Sequence, residues 1–490
     1  MLFNSYIFVF LFLPISLLGY FTLNHFKQYT FAKYFLVGMS LWFYAYFELS
    51  YLGIMVSSIV FNYVIHCLLL RIPHKKAILT GGILGNLSLL FYFKYFTFFL
   101  QNINNLLNSD ISLPEILLPL GISFFTFQQI AFLVDTARGE VKKQSLSDYM
   151  LFVTFFPQLI AGPIVSHEEM LPQFQNAALK SFQFENFYKG IRIFVLGLFK
   201  KVLLADTFGL AVNWGFLNYT SLNSLNTFLV ILFYTFQIYL DFSGYCDMAR
   251  GIGYMFNIKI AVNFLSPYKA ANIKEFWDRW HITLTRFFTR YLYIPLGGNR
   301  KGTLRTYLNV FIVFFVSGIW HGAGWTFILW GCMHGILSIL HRLWVELKTR
   351  LHISGNKLTH ALSVLLTFLF TICAWTFFRA ESVSHAAHML QNLFTFSGTV
   401  VHKNITGCFQ LPEFFYVLKI FNLDTLPLAS CYCMFLFIII TVVLLFFKKN
   451  LYETEEKHKP GILSTLFLSV LFVWCVLSFS GVSTFLYFNF

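Results

Sequence analysis

Long apolar stretches recur from one end of the chain to the other, separated by short polar gaps. Most are close to the roughly 20 residues that a helix needs to cross a bilayer. The first has no basic segment before it and no small-residue cleavage site, which favours a retained span over a signal peptide. The pattern predicts an all-α polytopic membrane protein of one domain, 1–490, with spans near 5–23, 31–47, 50–70, 77–100, 116–134, 190–213, 224–246, 306–320, 324–341, 358–378, 430–447 and 462–480.

Two stretches depart from a simple up-and-down pattern. Residues 149–163 are apolar but short, and Pro157, Gly162 and Pro163 interrupt them. Because lipid-exposed broken backbone is not tolerated, this predicts a re-entrant segment packed inside protein. Residues 250–305 alternate basic and aromatic side chains, which is typical of helices lying in the membrane interface. This segment also fits a mouth that attracts a polyanion, although composition alone favours an interfacial helix without a ligand.

The composition excludes a soluble enzyme, a disulfide scaffold and a disordered chain. Hydrophobic residues make up 57% of the 490 positions and charged residues 11%, against roughly 25% charged in soluble domains. The net charge of +14 does not indicate nucleic acid, because the basic residues lie in short gaps between spans. The eight cysteines are scattered without a CxxC pair, which indicates small core residues rather than a redox or zinc framework.

The distribution of Lys and Arg over alternate gaps predicts orientation. One set of alternate gaps is rich in Lys and Arg. The other set has no Lys or Arg in 101–115 and 481–490, and only Lys403 and Lys419 in 380–429. The rich set therefore faces the cytoplasm and both termini face out. It comprises Lys27, Lys33, Arg71, Lys75, Lys76, Arg138, Lys142, Lys143, Arg342, Lys348, Arg350, Lys357, Lys448, Lys449, Lys457 and Lys459.

Ionisable residues inside apolar runs are the candidates for function, since they are costly in a bilayer and usually line a cavity or pathway. His321 lies in FFVSGIWHGAGWTFILW, where small neighbours leave room for a substrate or for a packed helix. For His334 and His341 we favour packing near the interface. Asp241 needs a partner, and we expect an Arg or His of the 279–290 segment, although a structural ion pair explains it equally well.

His281 lies in the basic segment, in WDRWHITLTRF. If Arg279 and Arg286 are unpaired, they lower its pKa and favour the neutral imidazole that a base or an orienting group needs. A metal held by His281, His321 and His334 lacks support from any HExxH or Cys/His spacing, so we predict no metal. The sequence also lacks a GxSxG elbow and a P-loop in suitable context, which argues against a serine nucleophile and an ATP-driven pump.

Five blocks together resemble the membrane-bound O-acyltransferase superfamily, in particular its bacterial branch of alginate O-acetylase-like, peptidoglycan O-acetyltransferase-like and D-alanyl-transfer proteins. The blocks run in order along almost the whole chain, and the C-terminal FLYFNF (485–490) resembles the aromatic tail of polysaccharide-acetylating members. They are PLGISFFTFQQIAFLVDTARGE (119–140), FFPQLIAGPIVSHEEMLPQF (155–174), YLDFSGYCDMARGIGYMFNI (239–258), NFLSPYKAANIKEFWDRWHITLTRFFTRYLYIPLGGNR (263–300) and SGIWHGAGWTFILWGCMHG (317–335).

The resemblance implies a ring of spans and tilted helices around a tunnel, with a catalytic core at 306–341. The family's near-universal histidine corresponds to His321 and its second histidine to His281. The tail residue Tyr487 corresponds to a tyrosine thought to hold the acyl group before a partner takes it; a tail that merely packs at the interface is the rival interpretation. We expect the substrate to contact Asp241, Arg279, Arg286, Trp280 and Trp320.

The expected activity is transfer of an acetyl group from cytoplasmic acetyl-CoA, used as substrate with no bound cofactor, to an extracytoplasmic polysaccharide (exopolysaccharide or peptidoglycan). The expected location is the cytoplasmic (inner) membrane, with an SGNH-type partner on the outer side. D-alanyl transfer to teichoic acid is an alternative, but that system usually carries the tail tyrosine on a separate peptide. A transporter or flippase is a second alternative, although no inverted repeats are visible.

Overall fold

The computed structural model describes residues 1–410, 412–414, 419–421, 428–455, 460–481 and 485–486. Within these ranges the chain is helical and has no β-strand, which confirms the predicted all-α class. The helices are α1 Phe8–His25, α2 Tyr29–Ala45, α3 Leu49–Arg71, α4 Lys75–Leu107, α5 Ile122–Arg138, α6 Leu146–Thr154, α7 Phe156–Leu159, α8 His167–Gln175, α9 Phe184–Leu198, α10 Asp206–Leu217, α11 Ser224–Met255, α12 Ile273–Arg279, α13 Ile282–Phe288, α14 Thr303–His321, α15 Trp325–Arg350, α16 Lys357–Arg379, α17 Val383–Asn392, α18 Lys403–Thr406, α19 Ala429–Phe447, α20 Leu451–Thr454 and α21 Ile462–Gly481.

Every predicted span overlaps a helix, but in the span predicted at 116–134 the helix begins only at Ile122. In the described part of the chain, nine helices are long and apolar enough to cross a membrane: α1, α3, α4, α11, α14, α15, α16, α19 and α21. Helices α2 and α5 have only 17 residues each. The span predicted at 190–213 falls on α9 and α10, which the π-helical turn Phe199–Ala205 joins. The chain is therefore a multi-pass membrane protein.

Contacts between residues near helix ends assign the gaps to the same two sides as the Lys and Arg count does. Lys33 Nζ lies 2.8 Å from Asp148 Oδ1, which joins two gaps of the basic set. On the other side the Trp325 Nε1–H donates to Asn102 Oδ1 at 3.0 Å. We call the first side the basic face, formed by 26–28, 72–74, 139–145, 256–302, 351–356 and 448–455. The second side is the neutral face, formed by 108–121, 218–223, 322–324 and 380–402.

The broken segment 149–163 lies inside the protein, as its backbone requires. Every residue from 151 to 163 is buried. Helices α6 and α7 are separated at Phe155, and the amide groups of Gln128 and Gln158 both donate to the carbonyl of Phe152 at 2.9 Å. Side-chain amides thus satisfy a carbonyl at the break, which is how non-helical backbone is accommodated at membrane depth.

Helix α11 forms the centre of the bundle. The apolar part of this 32-residue helix is 83% buried, far more than that of any other candidate span in the described residues. It lies directly against α9, and a Cβ added to Gly251 would come within 2.6 Å of the Phe194 backbone nitrogen. Only glycine allows this approach. The result is a rigid wall beside which the chain from Asn263 to Phe288 folds.

Candidate functional site

His321 is the last residue of α14 and lies at the neutral-face end of that helix. Its side chain is only 3% exposed, and the rings of Trp320, Trp330 and Phe378 surround it at centroid distances of 4.9, 4.9 and 5.2 Å. His321 and Trp320 line a cavity of about 20 Å³ together with Lys94, residues 118–124 and Ile160. That volume has room for about one water molecule. The imidazole of His321 therefore borders a narrow polar cavity and is not enclosed by hydrocarbon alone.

A lysine that the sequence analysis missed holds the end of α14 in place. The Lys94 ammonium donates to the carbonyl of Trp320 at 2.6 Å and to the carbonyl of His321 at 3.2 Å. The neighbouring Tyr95 hydroxyl donates to the carbonyl of Ile319 at 3.0 Å. The last carbonyls of a helix lack partners within the helix, so α4 supplies them here. The sequence does carry a signal for Lys94, because it is the single charged residue between positions 77 and 107 of this apolar helix.

His281 approaches the same place from the basic segment. Its ring is fully buried, 6.2 Å from the Trp320 ring and 4.8 Å from the Phe242 ring. Trp320 therefore contacts both predicted histidines. The backbone of His281 is left-handed (φ 44°, ψ 53°) in the turn between α12 and α13, and such outliers concentrate at functional sites.

The expected influence of two arginines on His281 is wrong. Arg279 lies 2.5 Å from Glu275 and Arg286 lies 3.1 Å from Glu169, so neither is an unpaired charge. Burial instead lowers the pKa of His281 to about 3. The imidazole is therefore neutral at physiological pH, as a base or an orienting group requires, but for a different physical reason.

Two larger cavities lie towards the basic face. Their volumes are about 590 and 700 Å³, within the roughly 300–1,000 Å³ of ligand pockets. Both are lined by Glu169, Asp278, Ile282 and Arg286, so they adjoin, and the first also reaches Thr283. Of the five residues predicted to contact the substrate, Arg286 lines both cavities. Its side chain is 60% exposed. Arg279 lines neither of these two cavities.

Asp241 is ion-paired, but not with the 279–290 segment as predicted. Its Oδ1 lies 2.7 Å from the Lys201 ammonium, and Lys201 also lies 2.6 Å from Asp206 Oδ1. The other oxygen, Oδ2, accepts the backbone N–H of Leu486 at 3.0 Å. Asp241 thus anchors the backbone of the tail at Leu486.

The part of the tail that the structure describes enters the core. The Phe485 side chain is 1% exposed, and its ring stacks on Tyr245 at 4.7 Å and contacts Phe242 at 5.7 Å. Phe242 in turn contacts His281. Packing of the tail only at the membrane interface is therefore wrong for Phe485. Tyr487 lies outside the described residues.

Two other residues singled out from the sequence, Trp280 and His334, are packed in the core of the protein. Trp280 is completely buried against Phe276, Phe264 and Trp375, and it lines none of the cavities above. His334, predicted near the interface, is instead buried in the core, where its Nδ1 accepts the Trp277 Nε1–H at 3.2 Å. In the described ranges no three His, Cys, Asp or Glu side chains come together as metal ligands would.

Comparison with known sequences agrees with these features. The profile of the membrane-bound O-acyltransferase family matches residues 68–383. A peptidoglycan O-acetyltransferase from Helicobacter pylori is 41% identical, over the whole of this chain and 98% of its own length. A probable alginate O-acetylase from Pseudomonas aeruginosa is 35% identical over 83% of this chain and 78% of its own. A teichoic acid D-alanyltransferase from Bacillus subtilis is 27% identical over 54% of this chain and 70% of its own.

Proposed function

Because the chain belongs to the membrane-bound O-acyltransferase family, we propose that it transfers an acetyl group from acetyl-CoA at the basic face to a hydroxyl at the neutral face. The final acceptor would be an extracytoplasmic polysaccharide, either an exopolysaccharide or peptidoglycan. The observation that carries the proposal is the arrangement around Trp320, whose ring contacts both His321 and His281.

His321 is the general base in this proposal. Its imidazole takes the proton of the attacking hydroxyl while oxygen bonds to the thioester carbonyl carbon. The carbon–sulfur bond then breaks, and the imidazolium returns the proton to the thiolate, so that CoA leaves as the thiol. Base catalysis of this kind contributes typically about 10²–10⁴-fold. The tight aromatic surroundings of His321 support it, since they limit access of bulk water that would hydrolyse the thioester.

The basic face is the cytoplasmic side in this proposal, and the membrane is the cytoplasmic membrane. The Lys and Arg count supports the orientation. The two adjoining cavities there provide space for the acyl donor, and Arg286 in their wall, which is paired with Glu169, would contact its phosphates. His321 lies at the opposite end of α14, so the acetyl group would leave on the side where the polysaccharide and an SGNH-type partner are expected.

Tyr487 is the acyl relay in this proposal. The anchored Leu486 N–H supports it, because Leu486 directly precedes Tyr487 in the sequence. The phenol oxygen would attack the thioester and carry the acetyl group as an aryl ester. A hydroxyl of the partner or polysaccharide would then attack that ester and release the phenol. A phenol, with an ordinary pKa of about 10, is a good leaving group for this second step.

The decisive test of the base is release of CoA from acetyl-CoA by the purified protein. His321→Ala should reduce turnover at least about 100-fold. The control is His360→Ala, which removes an exposed imidazole near the start of α16. Undiminished turnover in His321→Ala would overturn the assignment.

The relay is tested on the C-terminal peptide. After incubation with acetyl-CoA, mass spectrometry should find an added acetyl group on Tyr487, and Tyr487→Phe should abolish both this group and transfer to the acceptor. Tyr432→Phe, at a 63% exposed side chain in α19, is the control. Full transfer activity in Tyr487→Phe would remove the proposed role.

D-alanyl transfer is less well supported than acetyl transfer, because the D-alanyltransferase relative matches only about half of the chain at lower identity. Acyl transfer is favoured over transport by the family membership. The choice is tested by supplying acetyl-CoA and a D-alanyl carrier-protein thioester separately. Consumption of the D-alanyl thioester alone would favour the alternative, and substrate accumulation in vesicles without any thioester would favour a transporter.

A further inference from the structure

Asn263 makes polar contacts with the turn that carries His281. Its backbone carbonyl accepts the N–H of Ile282 at 3.1 Å. Its side-chain oxygen accepts the N–H of Thr283 at 3.1 Å and the hydroxyl of Thr283 at 2.9 Å. The same oxygen lies 3.3 Å from His281 Nδ1. One buried asparagine thus touches every residue of the left-handed turn, 281–283.

These bonds determine which way the Asn263 amide points. A backbone N–H can only donate, so the atom facing Thr283 must be the amide oxygen. The amide nitrogen then faces Cys246, whose sulfur lies 3.6 Å away and can accept its hydrogen. The assignment therefore follows from an obligate donor and does not depend on an arbitrary choice between oxygen and nitrogen.

The orientation of Asn263 in turn fixes the tautomer of His281. Because an amide oxygen can only accept, the hydrogen between the two residues must be on His281 Nδ1. The ring is neutral, so Nε2 carries no hydrogen and presents a lone pair. Fixing a histidine tautomer through its other nitrogen is a general way to prepare the ring for chemistry.

The Nε2 atom of His281 has no hydrogen-bond partner among the described residues, although its ring is fully buried. The imidazole ring contacts the rings of Phe124, Phe242, Phe264 and Trp320. Burying an acceptor without a partner is unfavourable, so this lone pair, on a ring that contacts Trp320, points to a ligand group that arrives there.

We propose that Asn263 is a positioning residue, which keeps the hydrogen of His281 on Nδ1 so that Nε2 accepts a hydrogen bond from an N–H or O–H of the bound substrate. This rests on the proposed function. The donor group belongs either to an amide of the acyl-donor arm or to the acceptor hydroxyl, and both present the same chemistry to Nε2. In either case His281 orients the substrate, and His321 takes the proton.

The tautomer can be observed directly. Protein with ¹⁵N-labelled imidazoles is reconstituted in lipid, and the spectrum of His281 is assigned among the 14 histidines by its loss in His281→Gln. In the wild type, Nδ1 should give a protonated signal and Nε2 an unprotonated one. In Asn263→Leu the Nε2 atom should become protonated in a substantial fraction, whereas Asn263→Asp keeps the acceptor and should keep the wild-type tautomer.

Turnover should follow the tautomer. Asn263→Leu should lose roughly 10- to 100-fold in kcat/KM, as is usual when a residue that orients a functional histidine is removed, and Asn263→Asp should retain most of it. A rise in the KM for acetyl-CoA assigns the bonded group to the donor arm. An unchanged KM with slower transfer assigns it to the acceptor hydroxyl.

The matched control is Asn62→Leu, which removes another buried amide, bonded to Asn86 at 3.0 Å in a different part of the bundle. It should lower stability and leave the His281 spectrum unchanged. An unchanged tautomer in folded Asn263→Leu overturns the inference, whether or not turnover falls. Absence of thioester cleavage by the wild type would instead overturn the proposed function, while the spectrum would still decide the role of Asn263.

Discussion

At the scale of single residues, the two histidines are held by different kinds of partner. His321 is positioned through its backbone, because Lys94 and Tyr95 bind the final carbonyls of α14. His281 is positioned through its ring, because Asn263 binds Nδ1. The first arrangement fixes where the imidazole lies and the second fixes where its hydrogen lies. A general base and an orienting acceptor need these two different constraints.

Lys94→Met should impair both stability and activity. It removes three hydrogen bonds from a charged donor, one to the Ser123 hydroxyl and two to the carbonyls of Trp320 and His321, and leaves these carbonyls without that donor in apolar surroundings. We expect a loss of about 1–3 kcal/mol in the free energy of unfolding and a fall in CoA release, with Lys94→Arg less severe. Lys76→Met, at an exposed position in the first turn of the same helix, should change neither. Wild-type thermal stability and turnover in Lys94→Met would contradict the role.

The roles of some of these residues could be predicted from the sequence, and those of others could not. His321 was predictable, since an ionisable group between two apolar runs is costly. Lys94 carries the same signal in α4 but was overlooked. Asn263 lies in a loop and has no sequence feature that predicts its contacts. The partner of Asp241 could not be predicted either, because Lys201 is 40 positions away and only the packing of α11 against the π-helical turn brings them together.

At the scale of helices, the site depends on the close approach of α14 and α15. A Cβ added to Gly318 would lie 2.5 Å from the Phe327 carbonyl oxygen, and one added to Gly331 would lie 2.4 Å from that of Phe314. Small residues were expected around His321, and their role is to let these backbones touch. Helix positions followed from the apolar pattern alone, whereas this contact distance required the three-dimensional packing.

Gly318→Val should therefore separate the two helices and displace His321, which lies one turn further along α14. Overpacking of this kind costs typically about 1–3 kcal/mol. We expect CoA release to fall at least about tenfold and the melting temperature to drop. Gly38→Ala in α2, where an added Cβ meets nothing within 4 Å, should preserve both. Equal effects of the two substitutions would mean that the tight α14–α15 contact has no bearing on the site.

At the scale of the whole molecule, the two faces differ in the chemistry that they offer. The basic face carries the large adjoining cavities with Arg286 in their wall. The neutral face has the narrow cavity beside Trp320 and His321. A charged, bulky donor suits the first and a small acyl group suits the second. Directional transfer then requires that the basic face be the cytoplasmic one.

This orientation can be tested with two single-cysteine labels. Asp110→Cys lies on an exposed position of the neutral face and His352→Cys on an exposed position of the basic face. Each is introduced after the eight native cysteines have been replaced by serine or alanine, with CoA release as the check on folding. A membrane-impermeant thiol reagent should label position 110 in intact cells and position 352 only after permeabilisation. The reverse pattern would place the cavities with Arg286 outside the cell, where acetyl-CoA is absent, and would defeat inward-to-outward acyl transfer.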